Sequence, residues 1–438
     1  MANRSYCDGR TRRDILRLGA AGILGHSFSL PSLLANDQTA KTQKSIIYVF
    51  LHGGLSTIDT FDMKPDAPAE YRGEFKHAET TVPGIRICDQ LGAISKQMQK
   101  ISLIRSFRHN NSDHGPADHY MLTGYLPQAG FNGGLTPNNQ RPSIGSIVSK
   151  LAIANQGVPP YVCVPKMHSS CGPAYLGPTA APFVVESDPN SPSFQVPDLA
   201  PPLEIRADRL ESRKHILEKL DRFRNSGEMR ANQGAKSVST FQQKAFDLMT
   251  SPSTKSAFQL QKEKDSLRDE YGRNTLGQSC ILARRLVESG VRCVTIDHSN
   301  WDTHDNNFKT LKSDLLPIFD KAIATLFKDL SERGMLENTL VVVSGEFGRT
   351  PKINKNAGRD HWGPVFTVAL GGGGLKGGVV VGASDAKAEK PASDPYGPED
   401  LFATICHVLG FSPEHEFITP DGRPIMAVNQ GRKIEQIL

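Results

Sequence analysis

The sequence predicts an α/β protein with a mainly parallel central sheet. Three observations carry that prediction: short β-rich apolar runs, helical segments alternating with them, and polar residues gathered just after the runs. Ser45 to Leu51 (SIIYVFL) opens the series and ends in His52-Gly53-Gly54, the pattern of a buried strand entering a tight loop. Ile101 to Ile104 and Tyr161 to Val164 are shorter strand candidates, with helical periodicity between them at Asp118 to Leu122. A helix over Leu276 to Ser289 leads through Gly290 into a strand at Val291 to Ile296. A second helix, Asp314 to Arg333, leads through Gly334 into a strand at Thr339 to Val343. Phe366 to Leu370 adds a strand before the loop Gly371 to Gly374, and Pro398 to Leu409 reads as a closing helix. The glycine loop lacks the spacing of a phosphate-binding loop and no helix opens directly after it, so it reads as a turn.

Length and composition set the outer limits. The 438 residues with 38% hydrophobic content suffice for one large domain or two ordinary ones. A net charge of +5, spread along the chain, gives no case for nucleic acid. None of the seven cysteines forms a CxxC pair, which argues against a zinc ribbon and leaves any disulfide pairing open. Residues 1–35 have the parts of an export signal: Arg12-Arg13 and Arg17, a Gly- and Ala-rich apolar stretch from Leu18 to Leu34, and Ala35 as a small cleavage residue. Adjacent arginines make it the twin-arginine type, so the twin-arginine export machinery is an expected partner. The glycines at 19, 22 and 25 with Pro31 argue against an amphipathic helix there. No later run is long and apolar enough to span a membrane. The expected location is therefore the periplasm or the cell surface. The single mature domain is expected over 45–438, with 203–273 a charged helical insert that caps a site or forms an oligomer surface, its charges being equally those of a solvated face.

In parallel sheets ligands sit beyond the carboxyl ends of the strands, and the unusual polar residues fall there. His52 follows the first strand; Asp297, His298, Asp302 and His304 follow the strand at Val291 to Ile296. Glu346 follows Thr339 to Val343, and Asp360-His361 lies in the next loop. After Ile101 to Ile104 comes a loop with Arg105, Arg108, His109, His114, Asp118 and His119. Each residue has a bland alternative, since a loop histidine is more often a surface or hydrogen-bonding group and a loop Asp often caps a turn. Imidazoles and carboxylates from separate strands at one sheet edge are what a divalent metal needs. The mixed nitrogen and oxygen set favours zinc or manganese, with calcium a further candidate.

These motifs carry a resemblance. Phe50-Leu-His-Gly-Gly54 with Asp59 and Asp62, Arg105-Ser-Phe-Arg-His-Asn-Asn111, Trp301-Asp-Thr-His304, Gly345-Glu-Phe-Gly-Arg-Thr-Pro351 and Gly358-Arg-Asp-His-Trp362 resemble the secreted domain of unknown function 1501 family. More widely, the chain resembles the alkaline phosphatase and sulfatase superfamily. That resemblance implies a three-layer α/β/α fold, one or two metal ions at the strand ends, a nucleophile at a helix start, and hydrolysis of phosphate or sulfate esters. It places His52, Asp302, His304, Glu346 and His361 as metal ligands, with Asp360 an additional or supporting one. His114-Gly-Pro116-Ala-Asp118 with Leu122-Thr-Gly124 echoes the sulfatase nucleophile motif, yet His114 replaces the Cys or Ser and Asp118 the Arg. A formylglycine mechanism is thereby excluded as an expectation. His114 is left as metal ligand, general base or attacking group, with Ser112 and Thr57 as alternative hydroxyl nucleophiles.

The expectation is an exported, metal-dependent hydrolase-like protein acting on an anionic small molecule or glycan. Arg349 and His114 are its expected catalytic residues, and Arg105, Arg108 and Arg359 the expected neutralisers of substrate charge. Each arginine has the alternative of a structural ion pair. The rival expectation is a non-catalytic binding or structural protein on the same fold, for example one that binds sulfated glycans.

Overall fold

A computed structural model of the protein describes residues 43–153, 157–196 and 251–438. The expected signal at 1–35 and the first part of the insert, 203–250, lie outside the described residues.

Eight strands form one sheet: β1 (Ser45–Leu51), β2 (Ser102–Phe107), β3 (Tyr161–Val164), β4 (Phe183–Val184), β5 (Cys293–His298), β6 (Thr339–Ser344), β7 (Phe366–Gly372) and β8 (Val380–Val381). Their spatial order is β8-β2-β7-β6-β1-β5-β3-β4. The strand β1 is wholly buried because it runs between β5 and β6, parallel to both, and its unbroken apolar sequence suits a strand covered on both faces. Strand β7 is the exception, antiparallel to β2 and to β6. The edge strands β4 and β8 have two residues each, too short for a sequence period to register.

Alternation along β1 sorts two cores. Ile47, Val49 and Leu51 face helices α3 (Thr275–Glu288) and α4 (Leu316–Glu332), with Cys280, Ile281, Phe319 and Ile323 among their buried neighbours. Ile46, Tyr48 and Phe50 face the other way. They share a core with Met121 of α1 (His114–Thr123), Ile144 of α2 (Ile144–Leu151) and Phe402 of α5 (Pro398–Leu409). Helices on both faces of a mainly parallel sheet give the expected three-layer α/β/α architecture.

Side chains mark where helices begin. Ser143 accepts from Ser146 N–H at 3.3 Å and Asn274 from Gly277 N–H at 2.9 Å. Helix α4 starts later than its apolar period predicts, because Leu311–Leu315 forms a wider π turn ahead of Pro317. Strand β5 also starts late: Val291 N–H is spent on Leu286 O, 3.0 Å away, closing α3. The described end of the expected insert packs inward. Phe258, Leu260 and Tyr271 are buried in the core beside α3 and α4, and Tyr271 Oη donates to Asp329 at 2.9 Å. All six cysteines of the described residues are buried and free. Among the described residues, no helix is long and apolar enough to cross a membrane.

Candidate metal centre

The reversed strand decides what reaches the site. The carboxyl ends of β1, β2, β5 and β6 lie at one sheet edge. Because β7 runs the other way, its amino end lies there too, and the 345–365 segment starts and finishes at that edge. Glu346, Arg349, Asp360 and His361 are thereby delivered to one place by one loop. Gly371 to Gly374 goes to the opposite edge, where Lys44 Nζ donates to Gly373 O at 2.7 Å.

Two glycines let the first strand end beneath the site. Gly53 has φ +115°, and a Cβ there would meet Asp302 N at 2.5 Å; Gly54 has φ +87° and lies against the Phe347 ring. The freed Gly53 N–H donates to both Glu346 oxygens, at 2.9 and 3.1 Å.

Four side chains converge above this floor. His304 Nε2 and His361 Nε2 lie 3.0 Å apart, and each is 3.0 Å from Asp302 Oδ1. His304 Nδ1 donates to Asp360 Oδ1 at 2.6 Å, and His361 Nδ1 donates to Ser112 O at 2.7 Å. With the proton of each ring held at Nδ1, both Nε2 atoms present lone pairs to each other and to a carboxylate. A cation among three electron-rich atoms this close would relieve their repulsion beyond what Arg349 supplies to Asp302, and Nδ1–H held by an outer acceptor is the usual support of a ligating histidine. The donor set fits a divalent metal. His114 joins from the first turn of α1: Nδ1 donates to Glu346 Oε1 at 2.6 Å, and Nε2 lies 3.4 Å from Asp302 Oδ2. His114, Asp302 and His361 are themselves a compact group of donors.

The charges fit this arrangement. The hydrogen bond to Glu346 raises the His114 pKa above its ordinary value, against the opposing effect of burial. Burial works to raise Asp302, but Arg349 outweighs it and brings the carboxyl down to about 2. The His304 hydrogen bond likewise lowers Asp360, whereas burial lowers His361.

The expected residues therefore divide. Asp302, His304, His361 and His114 are brought together; Asp360 and Glu346 stand behind His304 and His114 as hydrogen-bond acceptors. His52 offers a donor atom within 4.8 Å of donor atoms of His114 and Glu346, with its ring 5.9 Å from that of His114 and 4.7 Å from that of His168. Arg349 is buried at the site and spends its donors on Gly54 O, Arg359 O, Gly53 O and, at 2.5 Å, Asp302 Oδ1. Arg359 is fully buried and clasps Asp59 through Nε at 2.7 Å and Nη2 at 2.9 Å, with Thr350 O and Tyr71 O as further acceptors. Arg105 donates to Phe61 O and Arg86 O, both at 2.9 Å. These two guanidiniums hold the scaffold. Arg108 bonds Asn110 at 2.5 Å and is half-buried. Ser112 supports His361 through its carbonyl, and Thr57 is buried in a short 3₁₀ turn.

Sequence reasoning passed over His168, which follows β3 at the same edge and faces Asp118 Oδ2 at 3.5 Å. Its position after a strand was the available signal. His109 donates from Nε2 to Glu346 O at 2.6 Å, and burial holds it near neutrality with a pKa of about 4. Burial, reinforced by nearby Glu346, pushes the Asp118 carboxyl well above the usual carboxylate range.

A family model described as "Protein of unknown function (DUF1501)" matches residues 43–438. No match was found among curated proteins. Solved structures similar to the chain include the PsFucS1 sulfatase from Pseudoalteromonas sp., 16% identical with TM-score 0.37, covering 86% of this chain and 70% of that one. The alkaline phosphatase of the Antarctic bacterium TAB5 is 15% identical with TM-score 0.38, covering 84% and 99%. The lipoteichoic acid synthase LtaP from Listeria monocytogenes is 10% identical with TM-score 0.36, covering 88% and 74%. At such scores the likeness carries no argument about function.

Proposed function

The chain belongs to the DUF1501 family, and from that premise and its own site geometry we propose a metal-dependent hydrolase of anionic phosphate or sulfate esters. The observation that supports this reading is the 3.0 Å convergence of His304 Nε2, His361 Nε2 and Asp302 Oδ1, with both Nδ1 protons tied off. Those three residues would hold the metal, zinc or manganese by their donor chemistry, with Asp360 orienting His304. The chemistry a divalent ion supplies at such a site is polarisation of an ester oxygen and a lowered pKa for bound water. His114 is the proton acceptor or attacking group. Glu346 fixes its tautomer so that Nε2 faces the metal ligands, the role a buried carboxylate has behind a catalytic histidine. Arg349 holds Asp302 in place, and Arg108 is the guanidinium left to meet substrate charge. With a histidine at the helix start, no formylglycine can form.

The test is elemental analysis of protein purified without chelator, joined to turnover of aryl phosphate and aryl sulfate. Bound zinc or manganese, with turnover lost in His114→Ala, supports the reading. Metal-free protein whose stability ignores chelators sinks it.

A second reading has its own observation: the first residue of α1 is His114, where a hydroxyl or thiol nucleophile would otherwise stand. It is a non-catalytic binder of sulfated glycans, and salt-sensitive glycan binding without turnover would favour it.

Export completes the proposal. Residues 1–35 are read as a twin-arginine signal, directing the remainder as one domain to the periplasm or cell surface. Retention in the cytoplasm on Arg12→Lys with Arg13→Lys, measured by cell fractionation, supports this; unchanged export overturns it.

A further inference from the structure

A second group of donors lies on the other side of His114 from Asp302. His52, at the end of β1, stands between two buried carboxylates. Its Nε2 is 3.8 Å from Asp118 Oδ2 and its Nδ1 is 3.9 Å from Asp297 Oδ1. Both separations are too long for a direct hydrogen bond. Asp118 and Asp297 are each 4% exposed, and the Oδ1 atom of each has no hydrogen-bond partner. An unpartnered buried carboxylate oxygen costs several kcal/mol, on the order of a lost charged hydrogen bond or more. The other charges nearby do not relieve Asp118. Lys166 Nζ, on a half-exposed side chain, is 3.4 Å from Asp297 Oδ2 and serves that residue. Buried Glu346 adds negative charge and is already matched by His114 and Gly53.

His168 completes the wall. Ser170 N–H donates to its Nδ1 at 3.1 Å, which places the ring proton on Nε2, facing Asp118 Oδ2 at 3.5 Å. It therefore faces one oxygen of Asp118 from beyond ordinary hydrogen-bond distance and leaves Oδ1 without a partner. The donor atoms of His52, Asp118 and His168 lie within 4.8 Å of one another.

We propose that His52 Nε2 and the Asp118 carboxylate form a second divalent-cation site, with His168 positioning Asp118 and Asp297 facing the far side of the His52 ring. Two protein ligands leave the remaining positions to water or to oxygens of an anionic ligand, the open coordination that suits manganese or magnesium. The site does not depend on the one formed by Asp302, His304 and His361, and His114 lies between the two.

The experiment titrates the chelator-stripped full-length mature chain with Mn²⁺ alone, by calorimetry and by elemental analysis after desalting. Two ions per chain are expected in the wild type. Asp118→Asn and His52→Gln should each lose one of them, and His168→Gln should weaken that same ion about tenfold or more. His304→Gln should lose the other. Circular dichroism establishes that each variant is folded, and the near-isosteric Asp118→Asn is the variant least exposed to misfolding. Wild-type stoichiometry retained in both Asp118→Asn and His52→Gln overturns the second site. A single wild-type ion lost in His304→Gln and kept in Asp118→Asn overturns it too and leaves the first centre standing. A single ion with the opposite response upholds the second site and removes the first.

Discussion

Glu346 Oε1 and His114 Nδ1 lie 2.6 Å apart, joining a residue that follows the central strand β6 to the first residue of helix α1. The carboxylate is fully buried and also accepts from Gly53 N–H, so it can neither rotate nor take on water. Glu346→Gln keeps the shape and removes the charge. Turnover of an aryl ester should then fall by about 10²-fold or more through kcat, as expected when a catalytic histidine loses its tautomer-fixing partner. A fall expressed in KM alone would contradict the assigned role.

Metal occupancy should appear as stability. An ion binding only the folded chain adds about 2.7 kcal/mol when its free concentration is a hundred times Kd. Chelation should therefore lower the Tm of the wild type by more than that of His304→Ala, which keeps only the ion at His52 and Asp118, a comparison that differential scanning calorimetry makes directly.

Gly358 passes so close to the first centre that a Cβ there would lie 1.7 Å from His304 O and 2.7 Å from Asp305 N. Gly358→Ala must displace the segment carrying His304. The expected result is a loss of about 1–3 kcal/mol and a metal affinity weakened about tenfold or more. Gly92→Ala, with nothing within 4 Å of its added methyl, is the control and should change neither.

The Asp59–Arg359 pair is buried on both sides, at 0% exposure for each residue. Asp59→Ala strands a guanidinium in the interior and should cost about 3–5 kcal/mol in urea unfolding. Asp59→Asn, which keeps an acceptor, should cost less.

His119 titrates against the fold. It is fully buried, donates from Nδ1 to Tyr125 O at 2.9 Å and accepts from Gln140 N–H at 3.0 Å. Burial lowers its pKa from 6.5 to about 4. Between those values the unfolded chain binds a proton that the folded chain refuses, so this contribution to stability is lost as pH falls from 6.5 toward 4. The loss is on the order of 3 kcal/mol once pH is below 4. His119→Gln should be less stable at pH 7 but lose less over that window, measured by urea unfolding at half-unit steps.

Much of this was readable in advance because strong apolar runs have few alternatives. The runs at Ser45–Leu51, Tyr161–Val164 and Pro398–Leu409 have the bounds the structure gives them. A strand's direction leaves no mark in such a run, so the reversal of β7 was invisible although it brings His361 to the site. Glu346 and Asp360 were recognised as site residues from their place after strands. Their standing behind His114 and His304 depends on rotamers and loop paths, which residue order does not record. His168 escaped for another reason: in sequence it is a lone histidine in a Ser- and Gly-rich loop, and its meaning comes from Asp118 across space.

The central place of β1 bears on how the chain is made. Its two hydrogen-bonding partners, β5 and β6, are synthesised long after it, and no neighbour in sequence can take their place. At about 5–20 residues per second, the ribosome needs on the order of 15–60 s between finishing β1 and finishing β6. For that interval SIIYVFL, the first strand of the sheet to emerge, is a sticky, unpaired segment, the kind of exposure that holding chaperones answer. Assembly of the proposed metal centre waits on the same clock, since His361 leaves the ribosome later still.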